Sequence, residues 1–128
     1  MHCNWNNSTL VSAGGLNGIL NVLLALLEPG DEVLLTDPIY IGLVNRVRLA
    51  GGVLAFAPYN IENGVWRLDH DQWRQAVTSK TKAFLKMGPS MPTCAVFSPR
   101  DWQAVCTACQ EADAWLLYES AMERILFE

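Results

Sequence analysis

Few groups in this sequence could do chemistry, and most of them stand alone. Lys86 lies one residue before the end of an apolar run, Thr81 to Met87. A lysine drawn out of water there becomes less basic and can attack an aldehyde. The commoner fate of a strand-end lysine is to lay its stem along the surface and keep the ammonium wet, and that is the expectation. Lys80 and Lys82 sit at the opposite end of the same run. Cys106-Thr107-Ala108-Cys109 has the spacing of a redox or zinc half-site, but it falls in mid-helix with no second pair, so it reads as core packing. His70 between Asp69 and Asp71, at a helix start, reads as capping and solvated surface rather than a metal ligand. No metal site is expected. Ser12, Ser90 and Ser120 have no histidine base nearby in sequence, which neither proves nor excludes a triad assembled in space. The turn Ser12-Ala13-Gly14-Gly15-Leu16-Asn17 is of the glycine-bearing kind that passes a strand into a helix.

These groups depend on the elements that carry them. Thr9-Leu10-Val11-Ser12 is a short β-prone run, and it leads into a helix whose apolar residues, from Leu16 to Leu27, cover nearly the whole circumference. Deep burial of that helix is expected. Pro29-Gly30-Asp31 stops it, and Glu32 to Thr36 follows as a strand with the continuous apolar centre of a parallel sheet covered on both faces. A second helix through Ile41, Val44 and Leu49 closes at Gly51-Gly52 before the strand Val53 to Ala57. Asn63-Gly64 marks a turn, Asp69 caps a helix through Trp73 and Val77, and Thr81 to Met87 is the next strand. Ser98 caps a helix with Pro99 at its first position, and Ala114 to Tyr118 is the last strand. Strands alternating with helices predict right-handed crossovers and an α/β three-layer sandwich with a mostly parallel sheet. In such a sheet ligands gather outside the carboxyl ends of the strands, so chemistry belongs at the turns after Ser12, Thr36, Met87 and Tyr118.

With 51% hydrophobic and 17% charged residues the chain can bury a core, so disorder is not expected. A net charge of -4, with no run of Lys or Arg, gives no field that favours nucleic acid or an anionic membrane. The longest apolar stretch, Ile19 to Leu27, is less than half the roughly twenty residues that span a bilayer. The first residues lack the basic and apolar regions of a secretion signal, which makes a cytoplasmic location the expectation and Cys3, Cys94, Cys106 and Cys109 thiols.

Several segments, in order, resemble the large domain of fold-type I aminotransferases of class I/II, which use pyridoxal 5'-phosphate (PLP). They are Ser12 to Asn17, Leu27-Glu28-Pro29-Gly30-Asp31-Glu32-Val33, Asp37-Pro38-Ile39-Tyr40, Gly88-Pro89-Ser90-Met91-Pro92-Thr93-Cys94 and Leu116 to Met122. The resemblance implies a partial PLP-transferase large domain over residues 9–128, preceded by an N-terminal extension over 1–8. It implies that Gly14, Gly15 and Leu16 form part of a phosphate cup, that Tyr40 stacks on the pyridine face, and that Glu119 pairs with the pyridine nitrogen where the family has an aspartate.

Other positions depart from the family. Met91 replaces an asparagine that donates to the cofactor's 3-oxygen, Met122 replaces a tyrosine bonded to the same oxygen, and Cys94 replaces a glycine. The Schiff-base lysine belongs to a strand beyond Glu128, so no catalytic residue is expected here, and PLP binding is expected to be weak or lost. Strands that the family places between Thr9–Ser12 and the rest of the sheet also lie beyond that point, which leads to the expectation of a homo-oligomer formed through open edges. The reading is a PLP-binding scaffold that is not a working transaminase alone. The alternatives are an interaction or structural module on the same scaffold, and a new small enzyme or nucleotide binder at the same strand ends.

Overall fold

The computed structural model describes residues 5–126. Cys3, Glu128 and the first four residues of the proposed 1–8 extension lie outside them. In chain order the elements are α1 (Trp5–Ser8), α2 (Gly15–Leu26), β1 (Glu32–Asp37), α3 (Ile41–Leu49), β2 (Val53–Glu62), β3 (Val65–Leu68), α4 (His70–Gln75), β4 (Thr81–Met87), α5 (Pro99–Glu111) and β5 (Trp115–Glu119).

The sheet order is β3-β2-β1-β4-β5. β2, β1, β4 and β5 run parallel, and β3 turns back antiparallel on the second half of β2. Alternation along the strands divides the molecule into two cores. On one face Val33, Leu35, Ala83, Leu85 and Met87 pack against Leu23 of α2 and Leu43 and Val47 of α3. On the other, Leu34, Phe84 and Tyr59 pack against Trp73 of α4 and Val105 of α5. The α/β three-layer sandwich with a mostly parallel sheet is therefore what the chain adopts.

The local signals explain most element ends. The Asp69 carboxylate accepts from the N–H groups of Asp71 and Gln72 and caps α4. Ser98 and Asp101 form a reciprocal capping box around the first turn of α5, with Pro99 at its first position. Asn63 and Gly64, both at positive φ, make the tight reversal between β2 and β3.

Four expectations need correction. Thr9 to Ser12 is not a strand: Leu10 and Val11 are 79% and 92% exposed, and β-prone residues with no strand beside them have no ladder to complete. α2 is not deeply buried: only Leu23 is enclosed and Leu24 is 57% exposed, because the sheet and α3 cover one side of a helix that is apolar all round. β2 extends to Glu62 and pairs with β3, a strand the helix–strand alternation did not announce. α4 ends at Gln75, short of Val77.

Candidate functional site

At the carboxyl end of the sheet a cavity of about 280 Å³ opens between α2, the start of α3 and the turns after β4 and β5. It is lined by Gly15 and Leu16, Tyr40, Met91, Glu119 and Met122, with Leu43, Met87 and Ala121 behind them. Four of the five residues expected to hold a cofactor thus meet at one place. Gly14 is not part of this lining; it is the N-cap of α2, at φ 87, a conformation that favours glycine.

Each wall has a local cause. No side chain caps α2, so the first-turn N–H groups that a helix cannot satisfy internally remain available to an anion. Tyr40 is the N-cap of α3, and its ring lies back over Gly42, where a Cβ would stand 2.3 Å from the ring. Gly42 therefore positions Tyr40, a role that the helical pattern around it concealed. The turn after β4 is tied to β5 by the Gly88 N–H donating to the Glu119 carbonyl (3.0 Å) and the Tyr118 hydroxyl donating to the Gly88 carbonyl (3.1 Å). Glu119 uses one carboxylate oxygen to accept from the Ala121 N–H at 2.9 Å, while the other, Oε2, is buried without a hydrogen-bond partner. A second recess of about 520 Å³, between α2 and β5, shares Gly15, Glu119 and Ala121 with the first.

An unpartnered carboxylate oxygen, a helix start without a capping side chain and an aromatic ring around one cavity fit a flat, cationic nitrogen heterocycle with an anionic arm. PLP has that form. Glu119 would hold its ring nitrogen, Tyr40 its face, and the α2 start with Gly15 and Leu16 its phosphate.

Lys86 does not belong to this site. Met87 lines the cavity, so the preceding residue points through the sheet to the other core. There Lys86 is 1% exposed, and its Nζ donates to the Met87 carbonyl and lies 4.3 Å from the centroid of Phe97 and 5.8 Å from that of Tyr59. Burial pulls its pKa down to about 8, against the opposing charge of Asp101. The expected surface lysine is corrected: no path to water remains between the Tyr59 and Phe97 rings. The Thr36, Tyr59 and Ser90 hydroxyls are buried together beside it, and burial raises the Tyr59 hydroxyl's pKa against the smaller, opposing effect of Thr36 and Ser90.

His70 is corrected as well. It is partly buried, with Nε2 2.6 Å from Asp101 Oδ1, and so links α4 to the capping box of α5 instead of facing solvent. Burial works against the Asp101 charge, but the bonds from His70 and Ser98 outweigh it and hold the pKa below the usual carboxylate range. Cys106 and Cys109 both lie in α5. Cys106 is exposed, while Cys109 is in the core with its thiol pushed up to about 11 by burial. Among the described residues no group of three or more His, Cys, Asp or Glu could hold a metal, and no helix is long and apolar enough to cross a membrane.

The family profile for aminotransferase class I and II matches residues 3–128. The aspartate/prephenate aminotransferase of Thermus thermophilus is 33% identical over 120 residues, 94% of this chain and 31% of that protein. A probable kynurenine–oxoglutarate transaminase of Saccharomyces cerevisiae is 28% identical over 91% of this chain and 28% of its own length. Among solved structures, the N-succinyldiaminopimelate aminotransferase of Mycobacterium tuberculosis superposes with a TM-score of 0.79 at 31% identity, covering 82% of this chain and 27% of that one. The alanine aminotransferase of Pyrococcus furiosus gives 0.82 at 26% identity, covering 88% and 28%. The chain thus spans about three-tenths of the length of these relatives. Matched almost from end to end in sequence and over most of its length in structure, this chain belongs to the class I and II aminotransferases, a family whose cofactor is pyridoxal 5'-phosphate.

Proposed function

We propose that this chain is a PLP-holding portion of an aminotransferase large domain that binds the cofactor without covalent attachment and does not transaminate by itself. The observation that carries this reading is the placement of its lysines. All three, Lys80, Lys82 and Lys86, are clear of the cavity: the first two are at the amino end of β4 and the third is sealed in the opposite core. Bound PLP supplies an electron sink for charge developing at the substrate's α-carbon. Glu119 would keep the ring nitrogen protonated, Tyr40 would fix the ring plane, and the start of α2 would anchor the phosphate. Gly14, at the N-cap, supports that anchor by allowing the turn. No lysine side chain among the described residues is placed to carry the proton.

The test is to titrate the purified chain with PLP, follow visible absorbance and calorimetry, then reduce with borohydride and map adducts by mass spectrometry. The expected result is saturable binding with no adduct at Lys86, and no nitrogen exchange between an amino donor and a 2-oxo acid. Exchange at an enzymatic rate, or an adduct at Lys86 alone, would overturn it.

Exposed apolar residues favour a further role as an interaction module. Val22 and Leu24 of α2 and Trp115 and Tyr118 of β5 are exposed, and β5 is the last strand of the sheet among the described residues. An edge with unpaired backbone groups beside an apolar helix face recruits another strand. The chain is proposed to form a homo-oligomer through that edge and to work in the cytoplasm. Light scattering that returned a stable monomer would refute the association.

A further inference from the structure

Every methionine of the sequence except the first lines the candidate cavity: Met87, Met91 and Met122. They come from three separate places, the end of β4, the turn after it and the turn after β5, so a single helical or strand stripe does not account for their meeting. Filling a sealed core does not explain all three either: Met87 is buried, but Met91 is 38% exposed and Met122 stands half-buried in a turn. A thioether sulfur is a neutral, polarizable ligand on a stem with three rotatable bonds, so three that share a space of about 280 Å³ can close on one small ion. Glu119 is the one anion of the lining, and its Oε2 has no hydrogen-bond partner.

We infer that Met87, Met91 and Met122 form a site for a soft monovalent cation, copper(I), with Glu119 as the balancing charge. Softness decides the metal. Magnesium and calcium take oxygen ligands, and zinc takes thiolate, imidazole or carboxylate, of which this lining offers a single carboxylate. The lack of a His, Cys and carboxylate cluster among the described residues bears on those harder ions and not on one that thioethers select. Charge agrees, because three neutral sulfurs and one carboxylate neutralise a single positive charge and leave a divalent ion with an excess. The ion binds as copper(I), with no change of oxidation state and no proton released by the thioethers, and Met91 meets it from the solvent side. Coordination by sulfur uses none of the ring or phosphate contacts of the coenzyme, so the inference goes beyond the coenzyme reading and stands apart from it.

Copper(I), added anaerobically to the purified full chain in excess over its thiols, tests this by NMR on carbon-13-labelled methionine methyls. The expected result is that the Met87, Met91 and Met122 methyls shift together, and that zinc(II) leaves them in place. Thiols compete for copper(I), so affinity is measured against a colorimetric chelator in a full chain carrying Cys3→Ser, Cys94→Ser, Cys106→Ser and Cys109→Ala. In that background Met91→Leu and Met122→Leu, which keep an apolar side chain of similar volume, should each weaken binding at least about tenfold. Far-UV circular dichroism on each variant establishes that the fold is intact, and the methyl shifts of the unaltered chain decide the matter if the cysteine-free chain does not fold. Methyls that copper(I) leaves unmoved, or leucine variants that bind it as tightly as their parent, overturn the site. Zinc(II) that shifts the same three methyls overturns the assignment to a soft ion.

Discussion

Replacing Lys86 with methionine should stabilise the protein and remove a pH dependence expected of the wild type. The ammonium is 1% exposed, has no carboxylate in contact, and is held by the Met87 carbonyl and the face of Phe97. Its fall from the ordinary 10.5 to about 8 corresponds to roughly 3 kcal/mol of disfavour for the charged form, at about 1.4 kcal/mol per pH unit. A folded-state pKa below the unfolded one means that the unfolded chain binds more protons between the two values. Stability from this group therefore rises with pH across that window, and the disfavour is present in full below about pH 8. From about pH 7 to about pH 9 the recovery is roughly 1.4 kcal/mol.

Cys109 works the other way. Its thiol rises from 9.0 to about 11, so by about pH 9 it removes roughly 0.4 kcal/mol, equally in both proteins. Lys86→Met, close in volume, forfeits an attraction to Phe97 of about 1 to 2 kcal/mol and a carbonyl bond. A net gain of about 1 kcal/mol at neutral pH remains. Urea denaturation of wild type and variant at the two pH values measures both quantities. Parallel pH dependence in the two proteins, or a variant less stable than wild type at neutral pH, would refute the account of Lys86 as an unpaired buried charge.

Cys94 sits at φ 56, where a side chain costs about 1 kcal/mol and glycine does not. Cys94→Gly should accordingly raise the melting temperature by about 3 °C in a scanning calorimeter. Gly42→Ala forces the Tyr40 ring away from a Cβ it would meet at 2.3 Å. PLP affinity should then fall about tenfold by titration, with the melting temperature changed by no more than about 3 °C because alanine favours the helix.

Much of the fold was legible because local chemistry and tertiary structure agree in this chain. The run Thr81–Met87 coincides with β4, and Asp69 and Ser98 cap their helices through side-chain oxygens that have no better use. What could not be read depended on partners distant in sequence. Thr9–Ser12 has strand-like residues, but pairing is a property of two segments. The apolar circumference of α2 likewise gives its composition and not how much of it the neighbours cover. Lys86 looked like a surface lysine because sequence gives its place near a strand end but not which face it takes or that two rings close over it. Within the candidate site, the order of turns along a parallel sheet brought Gly15, Leu16, Tyr40 and Glu119 together, as sheet geometry requires. Gly42 was missed because its function is the absence of a side chain beside Tyr40, which no periodicity marks.

The hairpin at Asn63-Gly64 has a bearing on stoichiometry. By folding back on β2 it ends the sheet in a four-residue strand that carries Arg67, a short charged rim on which another chain finds little to grip. Among the described residues this leaves β5 as the sheet margin through which the proposed association would run. In the homo-oligomer proposed above, two copies meeting there about a twofold axis would cover each other's margin, and growth would stop at a closed pair instead of running on into a fibre.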